Sequence, residues 1–360
     1  MDHKFYLIIP PGMETLALEE LQEKWALHFP ESTFPQANIS LGGVEVMTTL
    51  ELGFSLNYIL KIPGRILLRL DSFKCRDFPK LFKKLKKIPW NNYLLGQIPI
   101  IKSSSKKSRI FDSRKIEKTA QDAIKAYYLG QAPKKKSLEK LKNAPEMSIF
   151  LRIEDDTCLL SLDTSGERLH RRGLRTLIGA APLRENLAAG MVYFLKKNAP
   201  IDLAYLIDPM CGSGTLLLEA LEFYKTVTTR KFAFEYFPLK TNLPILKIPD
   251  ITLFKNYIGM DKDPSVIEAA KSNQPNVKFI TEDLFSGVST LENAGIIFNP
   301  PYGKRIELDK SIDEIMKRVK EKFSPKIIGI LIPEETPKSF KAKNVLSFSN
   351  GGIRVKFYLL

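Results

Sequence analysis

Cysteine and histidine are both scarce in this 360-residue chain, which has three of each. The cysteines stand at Cys75, Cys158 and Cys211, and the histidines at His3, His28 and His170. Neither set has the spacing of a disulfide framework or a zinc site, and the scattered histidines argue against a catalytic triad. The scarcity excludes a disulfide-stabilised scaffold and predicts a metal-free protein of the reducing cytoplasm.

Long apolar runs are missing as well. No stretch of 18 apolar residues occurs, so a membrane-spanning helix is not expected. Charged residues follow the apolar stretch at residues 5–9 too soon for a cleavable signal peptide. The length suits two or three domains, and 44% hydrophobic residues provide ample core.

Positive charge is abundant and concentrated in one region. The chain carries a net charge of +15, whereas residues 61–142 alone hold 23 Lys or Arg and 6 Asp or Glu. Short lysine runs are common on solvated helix faces, but a whole region of one sign predicts a polyanionic partner. Nucleic acid is the favoured partner, and an anionic membrane surface is the alternative.

A strand, a basic loop and a helix follow one another inside this region. Residues 98–111 predict a strand that leads into a basic loop, and the helix predicted over 113–124 begins at Ser113, which we expect to cap it. Helix starts rich in basic side chains can bind phosphate. The candidate RNA-binding residues are Lys102, Lys106, Lys107, Arg109, Arg114 and Lys115. The first 60 residues, in contrast, predict a small α+β unit without catalytic residues.

A glycine-containing turn follows the apolar strand that ends at Asp208. Its residues are Asp208, Pro209, Met210, Cys211, Gly212, Ser213 and Gly214, and a helix follows. The spacing is not G-x-G-x-x-G and no basic residue follows, which excludes a Walker loop. A turn that begins with an acid suits a cofactor with a cationic amino-acid end, such as S-adenosylmethionine, although a purely structural turn is the alternative.

Two more apolar strands end in acids. Asp261 can accept the ribose hydroxyls of a nucleoside, and Asp283, followed by Leu284, can accept a hydrogen bond from an adenine amino group. Asp263 precedes Pro264 and is better explained as a helix cap. Glu282 is expected to be a solvated loop residue.

The run Asn299-Pro300-Pro301-Tyr302 follows another apolar strand. An Asn carbonyl and a backbone carbonyl fixed by prolines can each accept one hydrogen of a planar amine and orient its lone pair toward an electrophile. Tyr302 offers a face on which a base can stack. The alternative is a strand that simply ends in a proline-rich turn.

These motifs together resemble the THUMP-domain RNA methyltransferases of the RlmL type, which modify guanine N2. Residues 161–173, 181–189 and 230–235 carry further local similarity. The resemblance implies that Pro182, Leu183 and Arg184 close the floor of the cofactor site, and that Asn299 and Pro300 hold the amine against Tyr302. It departs from the THUMP pattern at Asp112-Ser113, where a His-Thr pair is common, so a base contact from that His is not implied.

The resemblance implies an α/β fold in which a Rossmann-like class I methyltransferase sheet with a reversed terminal hairpin follows an α+β ferredoxin-like and THUMP region. The expected domains are 1–60, 61–160 and 161–360. The expected substrate is 23S rRNA, with tRNA as the nearest alternative. Adenine-N6 or protein-glutamine methyl transfer and a non-catalytic RNA-binding role are the more distant alternatives.

Overall fold

The first half of the chain forms one mixed sheet with helices. The computed structural model describes residues 1–129, 146–174, 183–200, 203–246, 251–287, 293–301 and 310–360. The strands are β1 His3–Ile8, β2 Ala37–Ser40, β3 Gly43–Thr48, β4 Arg65–Lys74, β5 Ile100–Lys106, β6 Ser148–Glu154 and β7 Thr157–Asp163. The helices are α1 Glu14–His28, α2 Leu50–Ile59, α3 Phe78–Lys86 and α4 Ser113–Tyr128.

The strand order of this sheet is β2-β3-β1-β4-β7-β6-β5. All neighbours are antiparallel except β5 and β6, which run parallel. Because β1 pairs directly with β4, the regions 1–60 and 61–160 share one sheet. The domain boundary predicted near residue 60 stays a prediction. Strand β5 lies at the edge of the sheet, so among the described residues only one of its sides pairs with another strand.

Side-chain caps explain where three of these helices begin. Thr49 and Asp77 accept hydrogen bonds from the backbone of Leu52 and Lys80, which satisfies N–H groups of the first turn. At α4 the cap is Asp112, whose Oδ1 accepts from the Lys115 backbone N–H at 3.2 Å. The prediction that Ser113 caps this helix is wrong, because Ser113 is already its first helical residue.

The second half forms a seven-stranded sheet in the order β10-β9-β8-β11-β12-β14-β13. Its strands are β8 Tyr205–Asp208, β9 Asn256–Asp261, β10 Lys278–Thr281, β11 Ala294–Phe298, β12 Ile327–Pro333, β13 Asn344–Asn350 and β14 Ile353–Leu359. The helices are α5 Glu185–Asn198, α6 Thr215–Leu221, α7 Pro264–Asn273 and α8 Ile312–Phe323.

Strands β8 to β12 are parallel, and β14 runs antiparallel between β12 and β13. The predicted reversed hairpin at the end of the sheet is therefore confirmed. The order changes direction between β8 and β11, and ligands of such sheets bind beyond the carboxyl ends of the strands at that point.

Buried charges join the two halves. Glu20 on α1 accepts from the Lys24 ammonium at 2.8 Å and from the Lys61 and Ile62 backbone N–H groups at 2.7 and 3.0 Å. Lys24 also donates to the carbonyl of Phe223, at 2.6 Å, just beyond α6. Glu20 and Lys24 are fully buried, and their hydrogen bonds offset the cost of removing charge from water.

A second buried pair lies beside the first. The Arg172 guanidinium donates to both oxygens of Glu219 at 3.0–3.2 Å. It also donates to the Lys61 carbonyl at 2.8 Å and to the Leu169 carbonyl at 2.8 Å. We call Glu20, Lys24, Arg172 and Glu219 the charged joint. The charged joint holds three parts of the chain together: α1, residues 61–62 that follow α2, and α6.

Lys61, next to the charged joint, gives the stability of the protein a pH dependence. Burial, with Arg172 and Lys24 nearby, lowers the pKa of Lys61 from its usual 10.5 to about 7, although Glu219 and Glu222 oppose this. Between these two pH values the unfolded chain binds more protons at this site, so its contribution to the free energy of unfolding rises with pH.

Lys61→Met should therefore raise the free energy of unfolding at pH 7 and flatten its rise toward pH 10. Urea denaturation at several pH values measures both effects. Lys341→Met, at an exposed lysine, is the control and should leave the slope unchanged. A Lys61→Met protein with the wild-type slope would contradict the prediction.

Candidate active site and basic surface

The turn after β8 lies at the carboxyl edge of the second sheet. Asp208 is buried, and its Oδ1 accepts from the Met210 backbone N–H at 3.1 Å. Burial raises the pKa of Asp208 well above its usual value; the Met210 N–H opposes this and the Asp261 carboxylate adds to it. The Cys211 N–H donates to the Met260 carbonyl at 2.8 Å, which anchors the turn to β9. Pro209 is buried beneath it.

Both glycines of this turn adopt left-handed backbone. Gly212 has φ 51° and Gly214 has φ 81°. A Cβ at Gly214 would lie 2.8 Å from the Phe279 ring, so that position has no room for a side chain. A Cβ at Gly212 would meet nothing within 4 Å in the described structure, which leaves open space above the backbone there. The turn can thus admit a ligand at Gly212.

Cys211 is a packed residue of the turn. It is 7% exposed, and burial beside Asp208 and Asp261 raises the pKa of its thiol. A thiol that stays protonated is a poor nucleophile. Cys211 therefore contributes packing and its backbone to the turn.

Asp261 connects β9 to the glycine turn. Its Oδ2 accepts from the Gly212 N–H at 2.9 Å, and its Oδ1 accepts from the Asp263 N–H at 3.0 Å. Each carboxylate oxygen can accept a second hydrogen bond. Asp261 therefore shapes the turn and keeps capacity for a ligand hydroxyl. Asp263 caps α7 through the Ser265 N–H at 2.8 Å, as predicted.

Asp283 lies in the turn after β10 and is exposed. Its Oδ1 accepts from the Phe285 N–H at 2.8 Å, whereas Leu284 beside it is buried. The prediction that Glu282 is a solvated loop residue is wrong, because the buried Lys322 ammonium donates to it at 2.6 Å. Lys322 also donates to the Ser286 carbonyl at 2.8 Å, which fixes the shape of this turn.

Asn299 follows β11, the strand next to β8 in the sheet. Its Oδ1 is buried and has no hydrogen-bond partner among the described residues. A buried carbonyl without a partner is costly, so Asn299 Oδ1 is a candidate acceptor for a ligand at this strand end. Pro300 is buried and Pro301 is half-buried, which fixes the backbone beside it. Tyr302 lies outside the described residues.

Two of the residues predicted to close the floor of the cofactor site lie just before α5. Leu183 is 5% exposed, and the exposed Arg184 is the residue before the first helical turn; Pro182 lies outside the described residues. Asn186, in that turn, was not among the site residues predicted from the sequence. Its Nδ2 donates to the Ile62 carbonyl at 3.3 Å, and its buried Oδ1 lacks a partner in the described parts of the chain. An Asn in a helix rich in apolar residues is the signal that points to it.

The segment 230–235 packs against residues 161–173. The Arg230 guanidinium donates to the carbonyls of Ser165, Glu167 and Arg168 at 2.7–2.9 Å. The ring of Phe232 is fully buried beneath it, with the guanidinium 4.9 Å from the ring centroid. Residues 161–173 and 230–235, two of the segments that carried the sequence resemblance, are thus packed against each other.

The basic residues predicted to bind RNA lie along the edge strand β5, in the loop after it and at the start of α4. Lys102 and Lys106 lie on the edge strand β5, Lys107 and Arg109 in the loop, and Arg114 and Lys115 in the first turn of α4. All are exposed except Lys102, which is half-buried with its ammonium 5.4 Å from the Phe150 ring centroid. We call these six residues the basic surface.

The structure adds Arg76 to the basic surface. Asp156 accepts from the Arg109 backbone N–H at 2.8 Å, and its other oxygen lies 3.2 Å from Arg76 Nε and 3.9 Å from Arg109 Nε. Both guanidinium side chains remain more than half exposed. Arg76 is remote from Arg109 in sequence. The two are neighbours because both lie close to Asp156, in the turn between β6 and β7.

Three findings on the described residues bear on chemistry and setting. No group of three or more His, Cys, Asp or Glu side chains in the described ranges could hold a metal ion. Within the same ranges, every helix is too short or too polar to cross a membrane. The three cysteines are free and buried.

Two family models match the chain. A THUMP domain model matches residues 75–163, and a model described as an RMKL-like methyltransferase domain matches residues 172–340. A ribosomal RNA large subunit methyltransferase K/L of Marinomonas is 27% identical over 95% of this chain and 51% of the relative. A putative RNA methyltransferase of Synechocystis is 27% identical over 90% of this chain and 86% of the relative. The chain spans about half the length of the K/L relatives that it matches.

Solved structures show the same fold along the whole chain. A possible methylase of Clostridium difficile superposes with a TM-score of 0.78 at 24% identity, covering 100% of this chain and 98% of that one. A putative methyltransferase in complex with SAH gives 0.76 at 24% identity, covering 100% and 98%. The predicted fold class is confirmed. Residues 75–163 are a THUMP domain, and residues 172–340 are a methyltransferase domain of the RMKL-like family.

Proposed function

We propose that this protein transfers a methyl group from S-adenosylmethionine to the exocyclic N2 of a guanine in RNA, and that the RNA is 23S rRNA. The observation that carries the proposal is the buried Oδ1 of Asn299 at the carboxyl end of β11, which has no hydrogen-bond partner among the described residues. It lies one strand away from a glycine turn with open space at Gly212. The name of the K/L relatives supports ribosomal RNA as the substrate.

The donor set fits S-adenosylmethionine. Asp208 and the turn around Gly212 would hold the amino-acid end, together with Leu183 and Arg184, and Asp261 would hold the ribose. Asp283 and Leu284 would meet the adenine, one by a hydrogen bond and the other by apolar contact. The cofactor, when bound, supplies an electrophilic methyl group on a sulfonium. A structural neighbour solved with SAH supports this assignment.

Asn299 and the backbone at Pro300 would hold the target amine. Each carbonyl accepts one N–H, which directs the nitrogen lone pair away from the base plane. Groups fixed before the reaction lower the barrier because they need no reorganisation. No general base is required before attack, so proton release to water or a nearby carboxylate follows transfer. We keep the prediction that Tyr302 stacks on the guanine.

The reacting guanine has to leave its base pair to reach Asn299. A base inside a duplex is covered on both faces by its neighbours, so enzymes of this kind act on unpaired or flipped nucleotides. The basic surface on the THUMP domain would hold the surrounding backbone. Its position at an open sheet edge leaves room for an extended strand of RNA.

The test is methyl transfer from labelled S-adenosylmethionine to two RNA pools from cells that lack this gene, protein-free 23S rRNA and total tRNA. The products are digested and their nucleosides identified by mass. N2-methylguanosine in the rRNA pool alone supports the proposal, and in tRNA alone it keeps the reaction but overturns the substrate. Methylated adenosine overturns the reaction. Absence of label together with failure to bind S-adenosylmethionine would favour a non-catalytic role.

Reversing three charges on the basic surface tests RNA binding. The variant Arg109→Glu, Arg114→Glu, Lys115→Glu should bind RNA much more weakly and flatten the dependence of affinity on salt. Each lost phosphate contact removes about 0.7–0.9 from the slope of log K against log salt concentration. Filter binding across a salt series measures affinity and slope together.

The matched control reverses three exposed lysines in the second half of the chain, Lys320, Lys341 and Lys343. It changes the net charge equally and should alter the slope far less. Equal losses in the two variants would mean that net charge, and not the basic surface, governs binding.

A further inference from the structure

Phe111 is an aromatic ring displayed to solvent within the basic surface. Its side chain is 78% exposed, whereas the next most exposed aromatic among the described residues, Phe285, is 39% exposed. Exposed apolar area costs roughly 25 cal/mol per Å² relative to burial. A single exposed ring is not by itself evidence of a binding site. The fixed backbone and the cations around Phe111 are what indicate a binding partner.

The backbone on both sides of Phe111 is fixed. Ile110 is 4% exposed, and its carbonyl accepts from the Ser105 hydroxyl at 2.7 Å. On the other side, Asp112 caps α4 through the Lys115 N–H. The Arg109 N–H donates to Asp156, which fixes the residue before Ile110. The ring is thus held outward by its neighbours and does not belong to a loose loop.

The charges around Phe111 select the kind of partner. Its sequence neighbours in the loop and in the first turn of α4 include Lys107, Arg109, Arg114 and Lys115. The nearby carboxylates are engaged: Asp112 caps the helix, Asp156 binds Arg76 and Arg109, and Glu117 accepts from Ser103. In the described residues 98–129, the other exposed large apolar side chains are Ile98 and Ile100 at the start of β5 and Leu129 after the last turn of α4, each at the end of its element remote from Phe111. A protein partner would need a broader apolar patch.

We propose that Phe111 is a stacking platform for an unpaired base of the RNA, and that the flanking cations bind the phosphates on either side of that base. The proposal rests on the proposed function, because it takes RNA as the partner of the THUMP domain. It adds that the basic surface distinguishes single-stranded from paired RNA. Every base has a flat face, so stacking on an aromatic ring tolerates many sequences but requires an unpaired base.

The test compares Phe111→Ala with the wild-type protein on a short single-stranded RNA and on the same sequence in a full duplex. Loss of one stacking contact should weaken single-strand binding by about tenfold. Affinity for the duplex should stay within twofold, and the slope of affinity against salt should not change, because no charge is removed. Phe111→Trp should bind the single strand at least as tightly as wild type. Leu41→Ala is the control, because Leu41 is also a highly exposed apolar residue, at 87%, and is not part of the basic surface.

The outcomes separate this inference from the proposed function. If the charge-reversed variant loses RNA affinity and Phe111→Ala keeps it, RNA binding stands and the stacking role is overturned. Equal losses on single strand and duplex also overturn it. If neither RNA binds the wild-type protein, the assignment of RNA as partner fails, and the stacking role fails with it. Thermal unfolding of Phe111→Ala should match wild type, since the ring buries little surface.

Discussion

Replacing Asn299 by alanine should lower the rate constant of methyl transfer by about a hundredfold to a thousandfold while leaving cofactor affinity within twofold. Removal of one preorganised hydrogen-bonding group that acts in the transition state has an effect of about this size. The same change should leave the melting temperature equal or slightly higher, because it deletes a buried carbonyl without a partner in the described structure. Single-turnover kinetics, cofactor titration and thermal unfolding measure the three quantities.

Asn344→Ala is the matched control for this variant. Asn344 is exposed, and its Nδ2 donates to Asn198 Oδ1 at 2.9 Å. The control should lose neither activity nor stability. A marked drop in the melting temperature of Asn299→Ala would assign Asn299 a structural role, and unchanged turnover would remove it from the reaction.

Replacing Arg172 by methionine should lower the free energy of unfolding by about 3–5 kcal/mol. The change leaves the Glu219 carboxylate buried without its partner, while the guanidinium that also held the Lys61 carbonyl is gone. Urea denaturation monitored by circular dichroism measures the loss. The expected transition is single, because the charged joint connects elements of both sheets.

The neighbouring residue supplies the control. Arg171 pairs with Glu167 at 2.8 Å on the surface, where both side chains are more than half exposed. Arg171→Met should cost no more than about 1 kcal/mol, since solvent screens such pairs. The double variant Arg172→Met, Glu219→Leu should recover much of the loss because it leaves no unpaired buried charge. Equal effects of Arg171→Met and Arg172→Met would contradict a structural role for the charged joint.

The sequence predicted the parts of the fold in which local pattern and chemistry agree. Asp208, Asp261 and Asn299 each lie at or just beyond the end of a buried parallel strand, because an apolar run followed by a polar residue is typical of that position. The terminal hairpin was predictable from alternating strands around two glycines, which have φ 61° and 92°.

Long-range contacts between polar residues were not predictable in this way. Glu20 and Lys24 have the spacing of an exposed ion pair on a helix, and nothing local indicates that they are buried. Their partners lie at positions 61 and 223, brought there only by the packing of the two halves. At Asp112 and Ser113 both residues can cap a helix, so the sequence leaves the choice to backbone geometry. Arg76 and Glu282 likewise depend on partners remote in the chain.

Under the proposed function, the charged joint would also limit which RNAs can react. Because buried ion pairs and hydrogen bonds hold α1 and α2 against Arg172 and α6, the distance between the basic surface and Asn299 is set by the fold and does not adapt to each RNA. An RNA whose anchored backbone lies too near to its unpaired guanine, or too far from it, cannot occupy both sites at once. Under the proposed function, the protein would therefore select its target by the length of RNA between the anchored backbone and the reacting guanine.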